Sequence, residues 1–337
     1  MSQAALDWAW FYKDLFRDAP KSFKSFRPSL QSHLQPFIPL LDLQHIVMDY
    51  AAHRFQGQAK STLWVGKASR YMAMTVIDDT LFIADGDGFI NGFEYMCTDV
   101  WQRTGFWRTG STATQLGTYG KHLVSSDYNG EVSVWDPSNG KLLRKFTGHT
   151  GRVMAFAEVH GLLATCSYDK TVRFWTLSQS SELDRIVFRS SLPTCMVAWD
   201  GKLVVGDSRA DLQVFGLEDG VWTCILTFGG FAGRLTSLVV SSQSLLLCVV
   251  VGCVYSMSSN ETVLRSMIYT DCVDNYVCVV DDLLVIGYHN RIALHANDGP
   301  LIRHITVPES VRGRGGMVAV GGRLAVASTR GFVTFFD

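Results

Sequence analysis

Apolar residues in this chain come in short bursts of alternation, four to six residues long, separated by turn-forming pairs, and the bursts recur on a ruler of about forty residues. Phe93, Trp135, Trp175, Phe215, Met257, His295 and Phe336 each end such a burst, at gaps of 42, 40, 40, 42, 38 and 41 residues. Val132-Ser133-Val134-Trp135 and Val172-Arg173-Phe174-Trp175 are the clearest. A second marker keeps the same period. Turn-like pairs fall at Asp78-Asp79, Tyr119-Gly120, His160-Gly161, Asp200-Gly201, Ser242-Gln243, Asp281-Asp282 and Gly321-Gly322. A forty-residue period built from short strands predicts an all-β, seven-bladed β-propeller over residues 58–337.

The unit from Gly148 to Trp175 lays out one blade. Val153-Met154-Ala155-Phe156 predicts a first strand, and His160-Gly161 turns it back. Leu162 to Ser167 is the second strand, Tyr168-Asp169-Lys170 the next turn, and Thr171 to Trp175 the third strand. Asp136-Pro137-Ser138-Asn139-Gly140, Glu218-Asp219-Gly220 and Asn297-Asp298-Gly299 carry turn chemistry after the third strand. An outer fourth strand follows each, as at Leu142 to Phe146. Residues 62–67 supply the expected outermost strand of the last blade, just ahead of a first strand starting near Tyr71. Such a pairing closes the ring and removes an open edge.

These residues resemble the WD-repeat family. Trp135-Asp136 is similar to the family's Trp-Asp pair, and Gly148-His149 followed by Leu162 to Trp175 matches its repeat. The resemblance implies a hydrogen-bond chain through His149, Thr165, Asp169 and Trp175. A buried aspartate in a tight turn needs donors, which imidazole, hydroxyl and indole supply. At the aspartate position the other units hold Asp87, Asn129, Arg209, Val251, His289 and Arg330. By spacing the resemblance spans residues 65–337, while its specific motifs lie in 120–176.

Residues 1–57 do not follow the ruler. Leu6, Trp8, Trp10, Phe11, Leu15 and Phe16 predict a short aromatic helix, and Leu40 to Phe55 a second, with prolines at 20, 28, 36 and 39 between them. This helical extension is expected to strap the propeller or to bind a partner. Ile38-Pro39 with Leu43, Ile46 and Tyr50 resembles the start of an F-box, and Trp8 to Pro20 the stretch after one, in reversed order. The resemblance implies a ubiquitin-ligase component as partner of these helices.

Composition narrows the function. The net charge of −1 argues against general attraction to nucleic acid or membrane. Residues 235–260 carry no charge, but the break at Ser241-Ser242-Gln243-Ser244 and the kept register predict buried strands, not a membrane span. The eight cysteines include no Cys-x-x-Cys, and no signal peptide is visible, so free thiols and a cytoplasmic or nuclear location are expected. The Gly-x-Ser-x-Gly, His-Glu-x-x-His and phosphate-loop motifs are all missing. Asp85-Gly86-Asp87-Gly88 hints at calcium, but no glutamate follows at ligand distance, and a tight turn explains it better.

What remains is a surface. Tyr128, Tyr168 and Tyr288 stand one residue before the aspartate position, and Arg209 and Arg330 stand on it. Arg70, Arg152 and Arg234 share a register near the first strands of alternate blades. Tyrosine and arginine gathered on one face have the composition of a binding hot spot, and arginine forks suit carboxylate or phosphate. The expected function is a non-catalytic, cofactor-free interaction platform, in its sharpest form a substrate-recruiting adaptor holding an acidic or phosphorylated peptide. The alternative is a propeller enzyme of the quinone-binding or hydrolytic type, which Asn129-Gly130-Glu131-Val132 with Asn139-Gly140-Lys141 resembles, or a general scaffold subunit.

Overall fold

In a computed structural model the chain divides into two units, Met1–Gln56 and Gly57–Asp337. The structure describes residues 59–65, 73–96, 101–229, 231, 235–241, 246–250, 253–257, 265–269, 276–280, 283–288, 291–296, 301–307, 317–320, 323–327 and 332–336. The predicted N-terminal helices lie outside them.

The described residues form seven four-stranded antiparallel sheets. Blade 1 consists of Ala73–Ile77, Thr80–Ala84, Phe89–Tyr95 and Trp101–Arg108, paired in that order. Blades 2 to 6 repeat the pattern. Each sheet's first strand packs on the first strand of the next blade, and Met317–Val320 of blade 7 returns to Ala73–Ile77 of blade 1. The sheets therefore stand in a closed ring. In blade 7 the outermost strand comes from the other end of the sequence: Ala59–Trp64 pairs with Phe332–Phe336, Leu63 opposite Val333.

The forty-residue ruler follows from this geometry. Second and third strands are covered on both faces by neighbouring blades, so their side chains are apolar on both sides. All seven ruler residues lie on third strands and are buried, with Trp175 and Phe336 each 1% exposed. Apolar clusters bridge successive blades. Leu81, Ile83 and Phe93 of blade 1 meet Val333 and Phe335 of blade 7. Val134 of blade 2 shares a cluster with Leu163 and Trp175 of blade 3, and Phe174 of blade 3 one with Phe215 of blade 4. The chargeless stretch resolves into strands Leu235–Val240, Leu246–Val250 and Cys253–Met257. Among the described residues no helix is long and apolar enough to cross a membrane.

Three sequence expectations shift. The closing strand is Ala59–Trp64, not 62–67, because partners across the ladder decide its ends: Ala59 pairs with Phe336. The first strand of blade 1 is described from Ala73. The blade 2 turn is Gly120-Lys121, one residue later than Tyr119-Gly120. Tyr119 ends its strand, buried, and its hydroxyl donates to the Gly161 carbonyl of blade 3 at 2.7 Å.

Candidate functional site

The turn between second and third strands is organised by one side chain in each blade where it is described. In blade 3, Asp169 Oδ1 accepts the Thr171 N–H at 3.0 Å and the Thr171 hydroxyl at 2.6 Å. Its Oδ2 accepts the Thr150 N–H at 3.2 Å and lies 2.7 Å from His149 Nδ1. The opposite ring nitrogen, Nε2, lies 2.8 Å from Thr165 Oγ1, to which Trp175 Nε1 donates at 2.8 Å. A carboxylate only accepts, so the imidazole proton sits on Nδ1 and Nε2 accepts from the threonine. The chain thus runs indole to hydroxyl to imidazole to carboxylate. Burial alone would raise the Asp169 carboxyl, but the donors from His149, Thr171 and Thr150 outweigh it and hold the group well below the usual carboxylate range. Arg173 adds a longer contact to Asp169 at 3.8 Å.

Among the described residues, blades 1, 2 and 4 use a different aspartate, which sequence reasoning missed. In blade 1, Asp85 Oδ1 accepts the N–H groups of Asp87 and Phe89. Asp127 does the same for Asn129 and Glu131 in blade 2, and Asp207 for Arg209 and Asp211 in blade 4. These residues sit two positions before the expected one. Asp85, Asp127, Ser167 and Asp207 keep gaps of 42, 40 and 40, a third ruler that was present in the sequence. Asp87, Asn129 and Arg209 contribute their N–H groups to the turn, and their side chains are exposed. This turn geometry also accounts for Asp85-Gly86-Asp87-Gly88 without calcium. Blade 2 keeps part of the chain: Trp135 Nε1 donates to Ser125 Oγ at 2.8 Å. Where blade 3 has an imidazole, a small polar cavity lined by Thr109, Ser111, Ser125, Asp127 and Ser133 opens, and Ser111 Oγ donates to Asp127 Oδ2 at 3.0 Å.

These turns place part of the tyrosine–arginine set. Tyr128 and Tyr168 are exposed at 47% and 39% on the turns of blades 2 and 3. Arg152 touches both turns: its guanidinium carbon stands 5.3 Å from the Tyr128 ring centre, and its carbonyl accepts the Tyr168 N–H at 3.0 Å. Arg209 is exposed on the equivalent turn of blade 4. Tyr288 ends strand Leu283–Tyr288, while Arg70, Arg234 and Arg330 lie outside the described residues. Among the described residues, no three His, Cys, Asp or Glu side chains gather as a metal site. Cys166, Cys195 and Cys253 are buried free thiols, and burial pushes the Cys278 thiol up to about 12.

Comparison with known proteins agrees with this geometry. A family model described as WD domain, G-beta repeat matches residues 140–176, which hold all four members of the blade 3 chain. Periodic tryptophan protein 2 of Saccharomyces cerevisiae is 32% identical over 95 residues, 27% of this chain and 10% of its own length. Shk1 kinase-binding protein 15 of Schizosaccharomyces pombe is 28% identical over 149 residues, 42% of this chain and 43% of its own length. The chain thus spans less than half the length of either relative. A chain in the crystal structure of the Mitotic Checkpoint Complex has the same fold, with a TM-score of 0.68 and 13% identity over 84% of this chain and 96% of that one. The chain is thus a ring of four-stranded sheets with the β-propeller fold, in which residues 140–176 match the WD domain, G-beta repeat.

Proposed function

We propose that this protein is a non-catalytic recruiting platform whose propeller face, at Tyr128, Arg152 and Tyr168, holds an acidic or phosphorylated segment of a partner protein. The observation that carries this reading is the Arg152 guanidinium lying over the exposed Tyr128 ring, with Tyr168 exposed on the next turn. Tyrosine offers contact area at low entropic cost, and an arginine held against a ring is pre-organised for an anion. Arg209 continues the same composition on the next blade. The relatives give context: one is named as a kinase-binding protein, and the similar solved chain belongs to a protein complex.

The test is partner capture by proximity labelling with the intact chain, compared with a variant carrying Arg70→Glu, Arg152→Glu and Arg234→Glu. The reading predicts loss of partners at unchanged melting temperature, and binding that weakens as salt rises. Retention of the same partners by the variant would refute it. The adaptor version assigns residues 1–57 to a ubiquitin-ligase component. Deleting 1–55 should then remove ligase subunits from the captured set and leave the melting temperature unchanged. A fall in melting temperature with the ligase subunits still captured points to a strap.

A further inference from the structure

The outer rim of blade 1 departs from its neighbours in a way that the ring does not require. Asn91, Ser133 and Arg173 hold the same place in the third strands of blades 1, 2 and 3, each six residues after Asp85, Asp127 and Ser167. Their partners across the outer ladder are Phe106, Lys145 and Arg185. Two residues before them stand Phe89, Glu131 and Thr171. In blade 2 this site is an ion pair, Lys145 Nζ to Glu131 Oε1 at 2.6 Å. In blade 3, Arg185 and Arg173 both meet Glu182, at 3.6 and 2.6 Å. In blade 1 two phenylalanines occupy the ion-pair positions. Phe89 and Phe106 stack at 4.5 Å with their planes 12° apart, and Phe106 is 52% exposed.

Two arginines cap this stack. The Arg103 guanidinium stands 4.2 Å from the Phe106 ring centre, and that of Arg108 6.0 Å from Phe89. One Arg103 nitrogen donates to Asn91 Oδ1; Asn91 is fully buried and donates in turn to Asp85 Oδ2 at 3.2 Å. Arg103 is thus anchored to the turn network while lying on an exposed ring. Among the described residues neither Arg103 nor Arg108 has a carboxylate within ion-pair distance, and strand Trp101–Arg108 contains no acidic residue. Among the described residues this strand is the edge of its sheet and pairs only with Phe89–Tyr95. An edge offers backbone N–H and C=O groups to another strand, an exposed aromatic stack offers apolar area, and two guanidinium groups without counter-charges select for carboxylates.

We propose that this rim is a docking strand, distinct from the tyrosine–arginine face, for an extended acidic segment of a partner protein. The segment lies along Trp101–Arg108, with carboxylates against Arg103 and Arg108 and an apolar side chain on Phe106. Charge complementarity commits the occupant: the bare cations and the aromatic shelf belong to one strand, where neighbouring blades supply their own glutamates.

The probe is a fluorescein-labelled heptapeptide of alternating glutamate and valine, titrated by anisotropy into the full chain. We expect saturable binding that weakens with salt and slows hydrogen exchange at the amides of 101–108. Phe106→Lys, which installs the blade 2 residue, and the double variant Arg103→Gln/Arg108→Gln should each weaken binding at least tenfold, whereas Arg152→Glu should not. Circular dichroism and melting of each variant establish that it folds. No binding to the wild type, equal binding of a glutamine-for-glutamate peptide, or loss confined to Arg152→Glu would overturn the proposal. So would light scattering showing that Phe106→Lys dissolves a self-dimer, since the occupant would then be a second copy.

Discussion

At the scale of single residues, Asp169 ties the blade 3 turn to pH. Its folded-state carboxyl is held below the usual range by the donors around it, which outweigh burial. In the unfolded chain an aspartate titrates near 3.9. The stabilisation is therefore complete above about pH 4 and is lost as pH falls from there toward the folded value. Asp169→Ala should cost roughly 1–3 kcal/mol near neutral pH, since it strands the donors of His149 and Thr171. The gap in melting temperature between wild type and variant should hold constant down to about pH 5 and narrow below pH 4; a gap independent of pH would refute the account. Gly130 gives a second residue-level prediction. Its φ is +86°, and a Cβ there would meet the backbone oxygens of Gly151 and His149 at 2.7 and 2.8 Å. Left-handed backbone alone costs roughly 1–2 kcal/mol for a side chain, so Gly130→Ala should exceed about 2 kcal/mol in chemical denaturation. Lys170 adopts φ +69° at the matching place in blade 3, so the conformation itself admits a side chain there. The four-residue chain was legible because each member has a distinctive donor or acceptor at family spacing. Asp85, Asp127 and Asp207 were overlooked although they keep the forty-residue period, since an aspartate at a strand end looks like any turn residue until its backbone partners are known.

At the scale of the element, a blade is a meander, and in the four blades whose turn between second and third strands is described one buried side chain holds that turn, from a position that differs between blades. This separates two neighbouring residues of blade 2. Asp127 takes two backbone N–H groups and the Ser111 hydroxyl, whereas Asn129 gives the turn only its backbone N–H. Asp127→Ala should cost roughly 1–3 kcal/mol and Asn129→Ala only a few tenths, as read from urea unfolding. Equal costs would mean that the aspartate does not organise the turn. Strands of this kind are readable because the alternation and the punctuation both carry a signal: Leu162–Ser167 and Leu142–Phe146 fall where the pattern puts them. Ends set by a distant partner are not readable. Ala59 and Lys60 have poor strand propensity, and only the pairing of Ala59 with Phe336 brings them into the sheet. Tyr119 likewise stays in its strand because its hydroxyl reaches across to blade 3.

At the scale of the whole molecule, stability rests on closure. Among the described residues, apolar clusters join blade 7 to blade 1 and each of blades 1 to 5 to the next, and the cluster between blades 7 and 1 also takes in Leu63 of the closing strand. Leu63→Pro removes a backbone donor next to Val333 and distorts that strand. We expect it to lower the melting temperature of the entire ring by several degrees and to make Trp101, stacked on Phe335 at 4.1 Å, more accessible to fluorescence quenchers. A local change with an unshifted melt would show that the ring holds without its clasp. The period, the blade count and the clasp could all be inferred from spacing. The blade 1 rim could not, because the Phe89–Phe106 stack stands out only against the ion pair that blade 2 has at the same register.

The pairing of Ala59–Trp64 with Phe332–Phe336 also sets a timetable. Blades 1 to 6 are each built from neighbouring segments and can form while the chain is still being synthesised. Blade 7 joins strands more than 260 residues apart in sequence, so its completion is the step of greatest loop entropy and waits for nearly the whole chain. Until then Met317–Val320 and Ala73–Ile77 present apolar flanks to solvent. We expect a chain folding in this order to pass through an open six-blade arc, the form in which its apolar flanks are most exposed to chaperones, to proteases and to mispairing with a second copy of itself.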